Sequence, residues 1–285
     1  MHAEIHSGQL SLLPSKSPVS KSPDRSGTLF TPATGAGRDS RCALTGVQVA
    51  DEAVVADLAP TGVLRASINL GNPVLAQGTG QAPAGVTVDL SREIAARLGV
   101  PVSLACFDAA RKSFEALHTG AADIGFLAIE PARQAEVWFT APYVLIEGVY
   151  AVPAGSPITT AAEIDRPGMR IGVKEGSAYD LYLTRTLTHA EVVRGGDAVD
   201  VFREHHLDAV AGIRQPLTRL VADDPALRLA EPRFMQIRQA AATTLDRSPA
   251  AKAFLRALIE DLKADGFIAS ALARSGQDAT VAPAS

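Results

Sequence analysis

The sequence contains few aromatic residues and few cysteines. Phe, Trp and Tyr make up 5% of the 285 residues, and Trp138 is the only tryptophan. Stacking platforms for nucleic-acid bases or sugars are therefore not expected. The two cysteines, Cys42 and Cys106, lie far apart and show no metal-ligand spacing. We expect two free thiols, no disulfide framework, no metal site and no cofactor.

Charged residues are also scarce, at 20% of the chain, and the net charge is −4. The hydrophobic fraction of 47% is sufficient for a globular core. No basic face is indicated, so nucleic acid is not an expected partner. No apolar run approaches the roughly 18 residues of a membrane span, so we expect no membrane insertion. The length predicts one or two lobes.

Residues 1–50 are rich in Ser, Pro, Thr and Gly and lack sustained periodicity. This composition predicts a disordered N-terminal extension. The only apolar cluster near the start is Leu10, Leu12 and Leu13, which Pro14 interrupts, so no secretory leader is recognised. As encoded, the sequence predicts a cytoplasmic location. A misassigned start site would instead allow a periplasmic one.

Strand patterns alternate with helix patterns through most of the remaining chain. Val63 to Leu70 is predicted to be a buried strand, and Val88 to Leu98 an amphipathic helix that ends at Gly99. Val100 to Phe107 is predicted to be the next strand. A second strand–helix unit begins with Met169 to Val173. This alternation predicts α/β layers with mostly parallel strands.

The most informative segment is residues 120–143. An apolar strand, Ile124 to Ile129, ends at a helix that Pro131 opens, and Arg133 falls in the first turn of that helix. A guanidinium beside free backbone N–H groups can receive a carboxylate. A surface arginine on an ordinary helix explains these residues equally well.

A second informative segment is residues 171–180. Ser177 and Asp180 form an S-x-x-D capping box, which predicts a helix whose first N–H groups face the carboxyl end of the preceding strand. Helix N-termini in that position bind anions, although most caps have only a structural role.

Residues 120–143 resemble the signature of family 3 solute-binding proteins, the amino-acid-binding receptors of ABC transporters. Residues 85–90, Gly-Val-Thr-Val-Asp-Leu, resemble the glycine–aromatic–Asp-Val-Asp-Leu entry to the first helix of that family. Residues 138–143, Trp-Phe-Thr-Ala-Pro-Tyr, resemble its phenylalanine–serine/threonine–x–proline–tyrosine segment. The resemblance covers about residues 60 to 275.

The resemblance implies a periplasmic-binding-protein-like fold of type II, with two α/β lobes joined by a two-strand hinge. We expect residues 51–149 plus 241–275 to form the first lobe and residues 150–240 the second. Residues 276–285 are expected to form a flexible C-terminal tail.

The resemblance also implies a site. In the family, the arginine that corresponds to Arg133 clamps the carboxylate of the ligand, and the turn at Ser177 supplies a second clamp from the opposite lobe. We therefore expect a monomer that closes on a small-molecule carboxylate, with an ABC permease as a candidate partner. The expected ligand-binding residues are Arg133, Ser177, Ala178, Gly176, Ala128, Phe126, Asn72, Lys174 and Arg214.

Three departures from the family pattern bear on the identity of the ligand. Ala128 replaces the usual Ser or Thr, residues 71–74 replace the usual aromatic clamp, and Ile213 and Arg214 stand where a carboxylate usually receives the ammonium of the ligand. A desolvated ammonium needs an anionic or multi-acceptor partner. An oxo acid, a dicarboxylate or another anionic metabolite is thus as compatible as an amino acid. Arg214 fits the cleft and the surface equally well, and Asn72 fits a ligand contact or an ordinary turn.

The same resemblance includes an enzyme alternative. Cyclohexadienyl (prephenate or arogenate) dehydratases resemble these receptors throughout, and their chemistry needs a positioned proton donor. Glu175 and Lys174 are the only candidates beside the Ser177 turn. We expect a binding protein and keep a dehydratase-like lyase as the alternative.

Overall fold

The computed structural model describes residues 50–285, so the predicted extension up to residue 49 and Cys42 lie outside the described residues. Within them, the helices are α1 (Glu52–Leu58), α2 (Val86–Leu98), α3 (Ala110–His118), α4 (Pro131–Gln134), α5 (Ala178–Thr186), α6 (Ala198–Glu204), α7 (Arg214–Asp223), α8 (Pro249–Ala264) and α9 (Phe267–Arg274). The strands are β1 (Leu64–Asn69), β2 (Gln77–Gly78), β3 (Pro83–Ala84), β4 (Val102–Phe107), β5 (Ile124–Ala128), β6 (Val137–Pro153), β7 (Arg170–Lys174), β8 (Glu191–Gly195), β9 (Ala209–Ile213), β10 (Leu227–Thr244) and β11 (Thr280–Val281).

Most of the strands form one nine-stranded sheet in the order β4-β1-β5-β10-β6-β9-β7-β8, with β11 paired to β6. The strands β4, β1 and β5 are parallel to one another, as are β9, β7 and β8. The long strands β6 and β10 lie between these two groups and pair antiparallel with each other. The predicted α/β class with parallel strand groups is confirmed.

The two long strands connect the parallel groups. Strand β10 pairs with β5 over Gln239–Ala242, and β6 pairs with β9 over Gly148–Ala151. Between these contacts the chain crosses from one group to the other twice, once in each long strand. This double crossing supports the proposed lobes, with the first ending near residue 149 and resuming near residue 241.

The C-terminal helices return to the first lobe. Helix α8 begins after its N-cap Ser248, whose side chain accepts a hydrogen bond from the N–H of Ala251 at 3.1 Å. The apolar face of this helix is buried, with Leu255 and Ile259 fully inaccessible. The Asp57 carboxylate of α1 accepts a hydrogen bond from the N–H of Ser248 at 2.8 Å, which ties the start of α8 to the first lobe.

The last ten residues differ from the expected flexible tail. Strand β11 pairs with β6 at Val144 and Leu145, and the N–H of Ala282 donates to the carbonyl oxygen of Tyr143 at 3.0 Å. Ala282 is 3% exposed. The open edge of β6 supplies these partners, and a two-residue strand is too short to be recognised from periodicity.

No helix among residues 50–285 is both long and apolar enough to cross a membrane. Cys106 is a free thiol, and partial burial raises its pKa.

Candidate functional site

A cavity lies where the parallel strands of both lobes end, which is the usual position of sites in open α/β sheets. The cavity volume is about 50 Å³. The first lobe contributes Asn69, Asn72, Phe126, Leu127, Ala128 and Arg133, among others. The second lobe contributes Lys174, Glu175, Ser177, Ala178, Tyr179 and Ile213. The hinge strand β10 contributes Ile237 and Gln239.

The position of Arg133 follows from the local sequence. Strand β5 is buried at every position and ends at Ala128. Pro131 occupies the first turn of α4. Backbone N–H groups in that turn have no acceptor within the helix, so a proline there costs no hydrogen bond. The short helix turns the Arg133 side chain back towards the strand end, and this residue is only 3% exposed.

The guanidinium of Arg133 makes two hydrogen bonds, both to backbone carbonyl groups. Its Nη1 donates to the oxygen of Ala128 at 3.3 Å, and its Nη2 donates to the oxygen of Gly176 at 2.9 Å. A guanidinium has five N–H donors. Three of them therefore have no partner among the described residues.

The charge of Arg133 is also unpaired. No Asp or Glu oxygen of the described residues lies within 4.0 Å of its guanidinium. Burial lowers the pKa of Arg133 to about 10, and the charge of Glu130 opposes this shift only in part. A buried cation without a counterion is costly. The cavity therefore contains a positive charge that an anionic ligand would neutralise.

The second lobe presents the N-terminus of helix α5 to the same cavity. The Ser177 hydroxyl caps this helix and accepts a hydrogen bond from the N–H of Asp180 at 3.1 Å. Asp180 does not close the predicted capping box on Ser177, because its carboxylate accepts from the N–H of Gly176 at 2.8 Å instead. The N–H groups of Ala178 and Tyr179 occupy the first turn, which has no helical acceptors.

Four polar contacts join the two lobes around the cavity, one of which is the 3.6 Å approach of the Glu175 carboxylate to the guanidinium of Arg111. Besides the bond from Arg133 to Gly176, the ammonium of Lys174 donates to the carbonyl oxygen of Asp108 at 2.9 Å. Arg185 of α5 forms an ion pair with Glu130, the residue that precedes α4. The lobes are therefore closed on each other in this structure.

Most of the residues predicted for the site lie together. Arg133, Ser177, Ala178, Ala128, Phe126, Asn72 and Lys174 line the cavity, and Gly176 contributes its carbonyl oxygen to Arg133. Asn72 also has the turn role that its sequence suggested, since its side-chain oxygen accepts from the N–H of Val74 at 3.2 Å.

Arg214 is the exception, and its predicted place in the cleft needs correction. It begins helix α7, outside the lining of the cavity, and its guanidinium is ion-paired with Glu147 and Glu231. The bond from Nη2 to Glu231 is 2.7 Å long. Hydrogen bonding by Glu231, together with Glu147, raises the pKa of Arg214 despite partial burial. Its charge is thus satisfied within the protein.

Sequence reasoning missed the hinge residues. Ile237 and Gln239 lie on the same face of β10, since alternate residues of a strand point the same way. Gln239 is 5% exposed. Residues 235–238, Met-Gln-Ile-Arg, alternate between apolar and polar, which is typical of a strand, but a glutamine after such a run does not by itself indicate a cavity.

Among residues 50–285 no group of His, Cys, Asp and Glu is arranged to hold a metal ion. The cavity offers one buried cation, a helix N-terminus, several amide and hydroxyl groups, and apolar walls. Such a lining can bind a small anion by charge, by hydrogen bonds and by shape.

Several solved structures share this fold. A mutant of ArgBP from T. maritima is 20% identical, with 78% of this chain and 99% of that chain covered and a TM-score of 0.65. A binding component of an ABC transporter from Wolinella succinogenes, complexed with lysine, is 19% identical over 75% and 95% of the two chains, with a TM-score of 0.64. The solute receptor for L-cysteine of Neisseria gonorrhoeae is 20% identical over 78% and 92%, with a TM-score of 0.65. These likenesses establish the fold.

A comparison with curated proteins gives no match. The sequence profile of the bacterial extracellular solute-binding proteins, family 3, matches residues 69–276. This range includes the second lobe, the two hinge strands, every residue of the cavity, and the first lobe except α1 and most of β1. The chain therefore belongs to family 3 of the bacterial extracellular solute-binding proteins.

Proposed function

We propose that this protein binds a small carboxylate-bearing solute between its two lobes, which close around it. The observation that carries the proposal is the buried guanidinium of Arg133, which lines the cavity and has no counterion among the described residues. A carboxylate supplies the missing negative charge and can accept two parallel N–H bonds from one guanidinium.

The N-terminus of helix α5 supports the same ligand chemistry from the opposite lobe. Its first N–H groups and the Ser177 hydroxyl lie against the cavity, and a helix N-terminus favours a negative charge. One anion can therefore contact both lobes at once. A ligand that interacts with both lobes only in the closed form shifts the equilibrium towards closure.

The relatives fit this proposal. The Wolinella succinogenes structure contains lysine, and the Neisseria gonorrhoeae protein is a receptor for L-cysteine. Both ligands are small molecules with a carboxylate. The relatives are binding proteins, which favours a transport receptor or sensor over the dehydratase-like lyase. Glu175, a proton donor considered for that lyase, is 56% exposed at its side chain.

As a receptor, the protein would act as a monomer and deliver its solute to an ABC permease. Membership of a family described as extracellular supports a location outside the cytoplasmic membrane, in contrast to the cytoplasmic location that the N-terminal sequence predicts. Fractionation of cells that express the full-length protein distinguishes the two locations.

A thermal-shift screen of the full-length protein against small carboxylates tests the proposed function. A bound carboxylate should raise the melting temperature, and mass spectrometry of molecules released on denaturation should detect the natural one. Arg133→Met should weaken binding at least 100-fold, because two charge-assisted hydrogen bonds contribute about 3 kcal/mol or more. Arg92→Met is the matched control, since Arg92 lies on the outer face of α2 and is 56% exposed.

Folding of the variants is checked separately by circular dichroism. Because the charge of Arg133 is buried and unpaired, its replacement by a methionine of similar length should leave the unfolding temperature of the ligand-free protein unchanged or raised. Carboxylate affinity that is equal in wild type and a folded Arg133→Met variant would refute the proposed function.

A further inference from the structure

We propose that the ligand is a short-chain acid with a neutral oxygen on the carbon next to its carboxylate, that is, a 2-oxo or 2-hydroxy acid. We further propose that Gln239 donates a hydrogen bond to this oxygen. The inference rests on the proposed function and concerns the class of solute and the residue that selects it.

The charges around the cavity fit a monoanion. Three charged residues line it, two cations (Arg133 and Lys174) and one anion (Glu175), which leaves a net charge of +1. The half-buried Lys174 and the exposed Glu175 both have partners in the opposite lobe. Lys174 donates to the oxygen of Asp108, and the carboxylate of Glu175 lies 3.6 Å from the guanidinium of Arg111. In the buried part of the cavity, the charge of Arg133 is the one left to neutralise.

The cavity offers poor acceptors for the ammonium of an amino acid. The side-chain oxygen of Asn69 already accepts from the N–H of Gly71 at 3.0 Å, and that of Asn72 accepts from Val74. The hydroxyl of Ser177 accepts from Asp180. No carboxylate of the described residues lines the buried part. An ammonium there would lose its hydration without gaining an anionic partner, which is strongly unfavourable.

Gln239 has a buried side-chain amide that is free to bind a ligand. It is 5% exposed and lines the cavity, yet its side-chain amide has no hydrogen-bond partner within residues 50–285. Its backbone is fixed, because it pairs with Ala128 of β5 on one side and with Val144 of β6 on the other. Buried amides normally have partners. Its N–H₂ group can donate to a carbonyl or hydroxyl oxygen of the ligand, whereas its Oε1 is a single neutral acceptor, which does not compensate the lost hydration of an ammonium.

The remaining walls limit the size and polarity of the ligand. The cavity volume is about 50 Å³, and four of its wall residues are apolar, namely Phe126, Leu127, Ile213 and Ile237. A single water molecule needs roughly 10–15 Å³ of such a volume. These dimensions fit a short aliphatic chain rather than a long or charged one.

The position of Gln239 connects ligand choice with the hinge. It lies where β10, still paired with β6, begins to pair with β5 as well, so its side chain projects between the lobes from the strand about which they close. A ligand bound to Gln239 and Arg133 contacts both the hinge and the first lobe. The side-chain amide of Gln239 therefore distinguishes between carboxylates that Arg133 alone would bind with equal affinity.

Calorimetric titration of the full-length protein with four matched ligands tests the inference. 3-Methyl-2-oxobutanoate, 2-hydroxy-3-methylbutanoate, L-valine and 3-methylbutanoate share a carboxylate and a branched chain and differ only at the second carbon. We expect the oxo or hydroxy acid to bind at least about 10-fold more tightly than L-valine. Whichever of the oxo acid and the hydroxy acid binds more tightly shows whether the site prefers a carbonyl or a hydroxyl oxygen. The same series built on pyruvate, lactate, alanine and propanoate covers a shorter chain.

Two variants of Gln239 test its role. Gln239→Leu should weaken the binding of the oxo or hydroxy acid about 5- to 30-fold and change the affinity for 3-methylbutanoate less than about twofold. Gln239→Glu adds a carboxylate to the cavity, so it should reverse the preference and favour L-valine. If Gln239→Leu does not fold, the ligand preference of Gln239→Glu still tests the role of Gln239.

The outcomes separate the two proposals. If wild type binds L-valine more tightly than the oxo and hydroxy acids, the inference is wrong, while the proposed function stands. If Gln239→Leu lowers the affinity for all four ligands by the same factor, Gln239 does not distinguish the groups on their second carbon. If no carboxylate of any kind binds wild type, the proposed function itself fails. Tight, Arg133-dependent binding of the oxo or hydroxy acid with a reversed preference in Gln239→Glu supports both.

Discussion

The guanidinium of Arg133, in the first lobe, donates a hydrogen bond of 2.9 Å to the carbonyl oxygen of Gly176, in the second. This contact can exist only while the lobes are closed. The same guanidinium retains donors for a ligand. Closure and ligand recognition therefore share one side chain, and a change on either side of the contact should alter both.

Gly176→Ala is predicted to weaken ligand binding by opposing closure. A Cβ at Gly176 would lie 2.8 Å from the Cβ of Arg111 in the first lobe, closer than side chains can approach. The lobes would have to separate slightly, which would lengthen the bond between Gly176 and Arg133. We expect at least a 10-fold loss of affinity in calorimetric titration with the bound carboxylate, because 1.4 kcal/mol corresponds to a factor of about 10.

Gly168→Ala is the matched control for that experiment. Gly168 has φ of +84° and Gly176 has φ of +68°, so both substitutions strain the backbone, by roughly 1–2 kcal/mol each. A Cβ at Gly168 meets no atom within 4 Å. Both variants should lose thermal stability, but only Gly176→Ala should lose affinity. An equal loss of affinity in both would show that strain, rather than closure, is responsible.

The ion pair between Arg185 and Glu130 is predicted to stabilise the closed form. Glu130 is nearly inaccessible at its side chain (4%), whereas Arg185 is 41% exposed. Opening of the lobes would separate the two charges and expose both to water. Arg185→Gln should weaken ligand binding about 3- to 10-fold. The effect is smaller than that of a fully buried ion pair because Arg185 is partly exposed to water. The dependence of affinity on salt concentration should also decrease.

Arg97→Gln provides the comparison for Arg185→Gln. Arg97 forms a 2.8 Å ion pair with Glu93 four residues away within α2, so opening of the lobes leaves this pair intact. Its replacement should not alter the affinity or its dependence on salt. An affinity for ligand that is the same in Arg185→Gln and wild type at low salt would exclude a role of this ion pair in closure.

Asp165 is predicted to make folding stability depend on pH at acid pH. Its carboxylate accepts hydrogen bonds from the N–H groups of Ala190, Thr188 and His189 and from the hydroxyl of Thr188, at 2.7 to 3.2 Å. These bonds, led by that of Ala190, hold the pKa of Asp165 far below its usual value.

Because the folded-state pKa of Asp165 is the lower one, the stabilisation is complete above the unfolded-state pKa of about 3.9 and is lost as the pH falls below it. Asp165→Asn should therefore lower the melting temperature at pH 7, and the difference from wild type should shrink below about pH 4. Unfolding curves at pH 7, 5 and 3 test this. A difference that is the same at all three values would contradict the assignment.

Removal of residues 279–285 is predicted to destabilise the first lobe. The deletion removes β11 from the edge of β6 and the buried Ala282, together with its bond to Tyr143. We expect a loss of about 1–3 kcal/mol in the free energy of unfolding, measured with urea. Removal of residues 284–285 alone should have little effect, since both are exposed. Equal stability of the two truncated proteins would mean that β11 contributes nothing.

Sequence reasoning predicted those residues of the site whose positions follow from local sequence patterns. Arg133 follows a buried strand and a proline, and Ser177 is a helix cap, so the ends of two strands could be located from the pattern of apolar residues and breakers alone. The resemblance to the family then paired these two strand ends across a cleft. Both residues line the cavity.

The residues that sequence reasoning misplaced or missed depend on contacts between distant segments. Arg214 turns away from the cleft because Glu147 and Glu231, remote in sequence, neutralise its charge. Gln239 becomes a cavity residue only because β10 runs between β5 and β6 at that point. Neither relationship is encoded in a local pattern, and both require the register of the two long strands.

A crystal structure of the protein with its bound solute tests the central claim most directly. We predict the carboxylate of the solute with one or both oxygens about 2.7–2.9 Å from nitrogen atoms of the Arg133 guanidinium. The N-terminus of α5 should contact the same carboxylate from the opposite lobe. A solute bound elsewhere, or bound here with its carboxylate directed away from Arg133, would contradict the account.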